Sequence, residues 1–231
     1  MDVETRAFTL PLRCRYLLRR PEQTSGDTLL VIALHGHAMT PEKMLDLTAP
    51  LVGDRHILAA PQGPYQLWVN QDGGPRSEVA FHWSTRFEPE HSRRLHHDMI
   101  LRILEETSVP AERAVLVGFS QPVSLNYRFL CTHTAAVRGA VAICGGIPGD
   151  WETAPYERTP AAVLHIATRG DEYYSPSVTQ QYPERLRRHI PEVEFHLLEG
   201  GHRIPSAARG IVQGWLERIV PLTQRFGSAT S

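Results

Sequence analysis

Ser120 lies in the segment Ala114-Val115-Leu116-Val117-Gly118-Phe119-Ser120-Gln121-Pro122, at the point where a short apolar run gives way to helix-compatible residues. That is the pattern of a nucleophile elbow, in which a buried strand turns sharply into a helix and leaves the hydroxyl at the tip. The chemistry it would support is acyl transfer. Serine is a poor nucleophile at neutral pH, so a base must take its proton and a carboxylate must orient the base. Two downstream loop residues suit those roles in the chain order Ser, Asp, His. Asp171 follows the apolar run Val163-Leu164-His165-Ile166-Ala167 after a Thr168-Arg169-Gly170 turn, and His202 ends Glu199-Gly200-Gly201-His202. Position alone leaves Asp171 equally compatible with an Asx turn, and Glu172 competes with it. His202 alone would read as one loop histidine among twelve. In register with Ser120 and Asp171 it reads as the base.

The usual elbow has a second glycine two residues after the serine, where this chain has Pro122. A proline in the first turn of a helix loses no hydrogen bond, and its fixed φ suits the helix. The donor expected for an oxyanion hole is the backbone N–H of Gln121, which Pro122 leaves in place. The second donor is expected in His35-Gly36-His37-Ala38, directly after the apolar strand, as the N–H of His37. His35 and His37 also suggest a metal pair, but His-x-His without a neighbouring carboxylate is a poor site. His96-His97-Asp98 reads as a solvated helix surface, since adjacent helical residues do not share a face.

These groups must be held by strands that alternate with helices. Leu29 to Leu34 is continuously apolar, as for a strand buried on both faces. Residues 41–51 read as a helix with Thr40 as N-cap and Pro41 at its first position, and residues 56–60 as the next strand. Residues 65–92 show little periodicity, contain Gly73, Gly74 and Pro75, and read as one long functional connection. Residues 93–107 are expected to be helical, with Leu95, Met99, Ile100, Ile103 and Leu104 on one face. Strands are expected at 139–144, 161–167 and 193–198, and helices from Ser120 to about Cys131, at 175–190 and at 205–220. One or two edge strands are expected within 8–19, and a frayed tail over 222–231. The alternation implies a mainly parallel sheet covered on both faces.

Composition narrows the function. The chain has 231 residues, 24 Lys plus Arg and 25 Asp plus Glu, for a formal charge of −1. A near-neutral balance predicts no nucleic-acid partner. No apolar run reaches membrane-spanning length, and the acidic start lacks a signal-peptide core. Cys14, Cys131 and Cys144 are too few and too scattered for a disulfide framework, which predicts a cytoplasmic location. Cys131 and Cys144 read as packed small residues. An apolar strip on the first strands or last helix could pair two chains as a homodimer.

Together these segments resemble the phospholipase/carboxylesterase family of α/β-hydrolases, which includes the acyl-protein thioesterases and small bacterial carboxylesterases. The resemblance covers residues 29–215. It rests on Leu34-His35-Gly36, Ala60-Pro61-Gln62-Gly63-Pro64, Gly118-Phe119-Ser120-Gln121, Gly145-Gly146, Gly170-Asp171 and Gly200-Gly201-His202 with Ile204-Pro205. It implies a single α/β-hydrolase domain over 1–231 with no separate cap. It implies Ser120 as nucleophile, His202 as base and then acid, Asp171 as orienting carboxylate, and the His37 and Gln121 amides as oxyanion hole. The implied reaction is hydrolysis of a small-molecule ester or thioester through an acyl-enzyme, with no metal or organic cofactor.

Three departures bear on substrate choice: Pro122, His37-Ala38-Met39 in place of a more glycine-rich loop, and Tyr173-Tyr174-Ser175-Pro176 after the acid. Trp68, Trp83 and Phe87 of the 65–92 connection, with Tyr173 and Tyr174, are expected to shape the substrate pocket. The connection's aromatics would equally serve to cover the sheet. Arg86, Arg93 and Arg94 read as a solvated basic face. The rival function is a hydrolase-fold binding protein that has lost turnover, motivated by Pro122 and the altered loop.

Overall fold

A computed structural model describes residues 2–70 and 77–219. Gly73, Gly74 and Pro75 and the expected tail 222–231 lie outside the described residues. The strands are β1 (Tyr16–Arg19), β2 (Leu30–Leu34), β3 (Ile57–Pro61), β4 (Tyr65–Asn70), β5 (Ser77–His82), β6 (Ala114–Phe119), β7 (Gly139–Ile143), β8 (Ala162–Thr168) and β9 (Val193–Leu198). Seven of them form one sheet in the order β1-β3-β2-β6-β7-β8-β9. All neighbours in it are parallel except β1, which runs antiparallel to β3.

The apolar runs are continuous because each strand feeds two cores. Leu30, Ile32 and Leu34 join one cluster, while Leu29, Val31 and Ala33 join the other. Successive side chains point to opposite faces, so a strand covered on both sides has no polar face. Helices α2 (Pro89–Thr107) and α3 (Pro122–Thr132) cover the first face. Helices α1 (Pro41–Val52) and α6 (Ala208–Ile219) cover the second. Helix α1 starts as expected: Pro41 occupies the first turn and Thr40 Oγ1 accepts the Lys43 N–H at 3.2 Å. The architecture is that of an α/β-hydrolase, with no separate cap domain evident among the described residues.

Several boundaries differ from expectation. Much of the 65–92 connection is a ribbon, β4 paired antiparallel with β5 from Tyr65↔His82 to Asn70↔Ser77. Helix α2 begins at Pro89, four residues early, because proline fits the first turn. The helix expected over 175–190 is broken into α4 (Pro176–Thr179) and α5 (Tyr182–Leu186). Pro183, with no N–H, sits in the first turn of the second piece instead of continuing the first. Only Tyr16–Arg19 of the N-terminal stretch pairs as a strand.

The histidine pair on α2 is also corrected. Only Asp98 of His96-His97-Asp98 is exposed; His96 and His97 are buried. The inward stripe of α2 is wide enough to take two successive positions, because His96 packs edge-on to Trp83 and His97 edge-on to Phe129 of α3.

Burial lowers the pKa of His35, His56 and His97 to about 4 and of His165 to about 3, and holds His96 well below its ordinary value. These rings are neutral in the folded protein and take up protons on unfolding below pH about 6.5. The unfolded chain then binds more protons, so stability is complete above that pH and is lost as pH falls towards 4. Urea unfolding at about pH 5 is expected to give a free energy more than about 2 kcal/mol below that at about pH 7.5, the share of a single such ring. Equal stabilities would mean that the rings are not buried in solution.

Candidate active site

Strands β2, β6, β8 and β9 all end at the same edge of the parallel sheet, and the loops leaving them carry the candidate groups. That edge is where open α/β sheets place ligands. At the end of β6, Ser120 has φ +63°, a left-handed conformation that a non-glycine residue adopts only when its surroundings impose it. Its N–H donates to the Ile143 carbonyl at 2.9 Å, and its carbonyl accepts the Val123 N–H at 3.2 Å.

Space for this turn comes from two glycines. A Cβ on Gly118 would lie 2.6 Å from Asn126 Nδ2, and one on Gly145 would lie 2.4 Å from Val123 Cβ and 2.6 Å from the Ser120 carbonyl. Pro122 occupies the first turn of α3. The clearance beside the helix start comes from Gly145, after β7, on a neighbouring strand rather than on the elbow itself.

The three candidate residues meet in one hydrogen-bonded line. Ser120 Oγ lies 2.8 Å from His202 Nε2, and His202 Nδ1 lies 2.9 Å from Asp171 Oδ2. Asp171 is 6 % exposed. Its other oxygen accepts the backbone N–H groups of Tyr173 at 2.9 Å and Tyr174 at 3.0 Å. Asp171 thus makes the Asx turn and bonds the His202 ring at the same time. Glu172, the competitor, instead accepts the backbone N–H of His202 at 3.3 Å. The His202 ring is flanked by Phe119, Tyr173 and Tyr174 at centroid distances of 5.1, 4.7 and 5.9 Å.

The loop after β2 is pinned on both sides of an arch. The His35 carbonyl accepts the Trp83 indole N–H at 2.7 Å, and the Met39 carbonyl accepts the Phe81 N–H at 2.9 Å. Between them Ala38 takes φ +57° and His37 is exposed. The backbone amides of His37 and Gln121 make no hydrogen bond among the described residues. Burial and the neighbouring His82 hold the His37 imidazole below its ordinary pKa, so it brings no fixed positive charge.

His35 is a strut rather than a ligand. Its Nδ1 bonds the Gly36 carbonyl at 2.7 Å and its Nε2 accepts the Gly63 N–H at 3.0 Å, so both nitrogens are used. Gly63 is required there, because a Cβ would come 2.7 Å from the His82 carbonyl. The Pro-Gln-Gly-Pro segment therefore supports the β2 loop. Among the described residues no group of three or more His, Cys, Asp or Glu could hold a metal ion. Burial raises the Cys131 and Cys144 thiols to about 12 and about 11, so neither is a ready nucleophile.

The expected pocket aromatics divide. Tyr173 and Tyr174 stand against His202. Trp83 is fully buried, with its indole spent on His35. Trp68 and Phe87 are 72 % and 87 % exposed, on the β4–β5 ribbon and just before α2. A cavity of about 820 Å³ lies elsewhere, between the N-terminal segment and α2, lined by residues such as Leu10, Tyr16, Met99 and Ile103. No helix among the described residues is long and apolar enough to cross a membrane. Sequence reasoning missed Trp83, Gly63 and Gly145 as site-builders; the two glycine-containing motifs were the available signal.

The family model for phospholipase/carboxylesterase matches residues 21–219. The sequence matches none of the curated proteins. The fold is similar to that of esterase PE8, at 16 % identity and a TM-score of 0.74 over 90 % of this chain and 99 % of that one. The Bacillus cereus carboxylesterase aligns at 14 % identity and 0.71 over 89 % and 94 % of the two chains. The Zea mays acyl-protein thioesterase 2 aligns at 14 % identity and 0.66 over 89 % and 99 %. At these identities the likeness is one of fold.

The glycine clearance is directly testable. Gly145→Ala is expected to destabilise the protein by about 1–3 kcal/mol in urea unfolding, as overpacking does. Gly149→Ala, at an exposed glycine with nothing within 4 Å of its added Cβ, is expected to leave the midpoint unchanged. Equal midpoints would mean that the crossing of β7 and α3 is looser than described.

Proposed function

The chain belongs to the phospholipase/carboxylesterase family and is a hydrolase of the esterase and thioesterase class, and we propose that it works through a Ser120-His202-Asp171 triad and an acyl-enzyme. The observation that carries this reading is the unbroken line from Ser120 Oγ through His202 to Asp171, at 2.8 and 2.9 Å.

In this mechanism Ser120 Oγ attacks the carbonyl carbon of a carboxylic ester or thioester while its proton passes to His202 Nε2. Asp171 holds the ring so that Nδ1 keeps its proton and the imidazolium is stabilised. The negative charge that develops on the carbonyl oxygen faces the His37 and Gln121 amides, which have no other partner among the described residues. Collapse breaks the bond to the leaving alcohol or thiol, which takes the proton from His202. Water, deprotonated by the same nitrogen, then attacks the acyl group on Ser120 and releases the acid. The steps use proton transfer and covalent catalysis alone.

Tyr173 and Tyr174 place two rings against the base, with Tyr173 71 % exposed, so they stand where a substrate would enter. In this reading Trp83 contributes to the site's frame instead of the pocket.

The test is treatment with a fluorophosphonate followed by intact-mass measurement. One adduct per chain is expected, and none on Ser120→Ala; an adduct that survives in Ser120→Ala would place the nucleophile elsewhere. The two carboxylates separate on an activated ester. Asp171→Asn is expected to lower kcat by about 10⁴-fold, the order seen when a triad carboxylate becomes an amide. Glu172→Gln, which touches only a backbone amide, is expected to cost less than about tenfold. The reverse ranking would make Glu172 the orienting acid.

A further inference from the structure

The two oxyanion amides come from different strand ends, and something must set their separation. Strands β2 and β6 are neighbours whose register runs to Leu34↔Gly118. Beyond that pair β2 and β6 no longer pair with each other, although β6 stays beside β7 through Phe119↔Ile143. The loop after β2 and the elbow after β6 are then held to a third element, the segment at the end of β5. On the loop side, Trp83 Nε1 donates to the His35 carbonyl at 2.7 Å and the Phe81 N–H donates to the Met39 carbonyl at 2.9 Å. On the elbow side, the Trp83 backbone N–H donates to Gln121 Oε1 at 2.9 Å, and Gln121 Nε2 reaches Ser84 Oγ at 3.3 Å.

We propose that Trp83 is a positioning residue for the oxyanion hole: its indole and backbone N–H groups tie the His35–Met39 arch and the Gln121 elbow to one strand end, and so fix the distance between the two amides. It rests on the reading of Ser120 as nucleophile.

Three features support a positional role. Trp83 spends both of its donors, one on each loop, so neither loop can shift without breaking a bond to the same residue. Its ring is clamped between the His35 ring at 5.0 Å and the His96 ring at 5.5 Å, and is fully buried. The tip of the arch is the part these bonds must hold: its base is tied through His35 to Gly63, while Ala38 is left-handed and the His37 amide is unpaired among the described residues. Donors of an oxyanion hole act through preorganisation, so small errors in their placement reduce the rate more than the binding of substrate.

Two variants test this. Trp83→Phe keeps an aromatic ring and removes the indole N–H. Gln121→Leu keeps the backbone amide and removes the acceptor for the Trp83 N–H. The fluorophosphonate labelling rate of Ser120 is expected to fall about 10–100-fold in Trp83→Phe and about tenfold in Gln121→Leu. On p-nitrophenyl acetate, kcat is expected to fall in step while KM stays within about threefold. Affinity for a trifluoromethyl ketone, which becomes a tetrahedral adduct on the serine, should fall with kcat. The double variant should lose no more than about the larger single loss, because both act on one distance.

Assays are run well below the unfolding midpoint of each sample. If Trp83→Phe does not fold, half-buried Gln121→Leu carries the test. Wild-type labelling rates in the folded variants, or a loss confined to KM, would overturn the proposal and leave the triad standing. A wild-type protein whose Ser120 does not label would overturn the triad and this proposal together.

Discussion

The left-handed turn at Ser120 is the constraint on which the rest of the site depends. A serine at φ +63° costs of order 1–3 kcal/mol and persists only when neighbours over-determine it. Here they do. Strand β6 is buried along its whole length between two cores, Gly118 and Gly145 let α3 start against the sheet, and a hydrogen bond from Ser120 to the Ile143 carbonyl fixes the turn to β7. The hydroxyl is thereby lifted out of the sheet edge towards the loops after β8 and β9, which bring Asp171 and His202.

The second constraint is convergence. Parallel strands end together, so loops from β2, β6, β8 and β9 reach one place, but the sheet does not set the geometry beyond its last hydrogen bonds. That work falls to short connections between loops. Asp171 caps its own turn through Tyr173 and Tyr174 and still has an oxygen for His202. His35 ties its loop to Gly63. The end of β5 ties the arch to the elbow. The His35 and Trp83 contacts are made by neutral, buried groups, which gives rigidity without charge and, through the His35 ring, makes that part of the frame sensitive to acid.

Much of the site was legible in the chain because each candidate follows a short apolar run and precedes a helix start or a glycine pair. Ser120, Asp171 and His202 are of that kind, and the order of strands and helices made a mainly parallel sheet covered on both faces readable, while the α/β-hydrolase fold followed from the resemblance of the motifs. Pro122 was readable as a first-turn proline, although the compensating clearance at Gly145 was not, since it depends on a neighbouring strand. The β4–β5 ribbon escaped because its alternation is interrupted around the glycines between its strands. Trp83 read as a pocket residue because an aromatic in a connecting segment looks the same whether its indole faces substrate or a backbone carbonyl. His96 and His97 read as solvated because a periodicity argument assumes a narrow buried stripe, and α2 is covered by both α3 and Trp83.

The central claim is that Ser120 carries the acyl group between two half-reactions. Rapid-quench intact-mass measurement during turnover of an activated p-nitrophenyl ester tests it most directly. The account predicts a transient mass increase of one acyl group per chain, mapped to the peptide containing Ser120, with a matching burst of p-nitrophenol. Steady turnover with no modified protein at any quench time, or an acyl group on another residue, would contradict it.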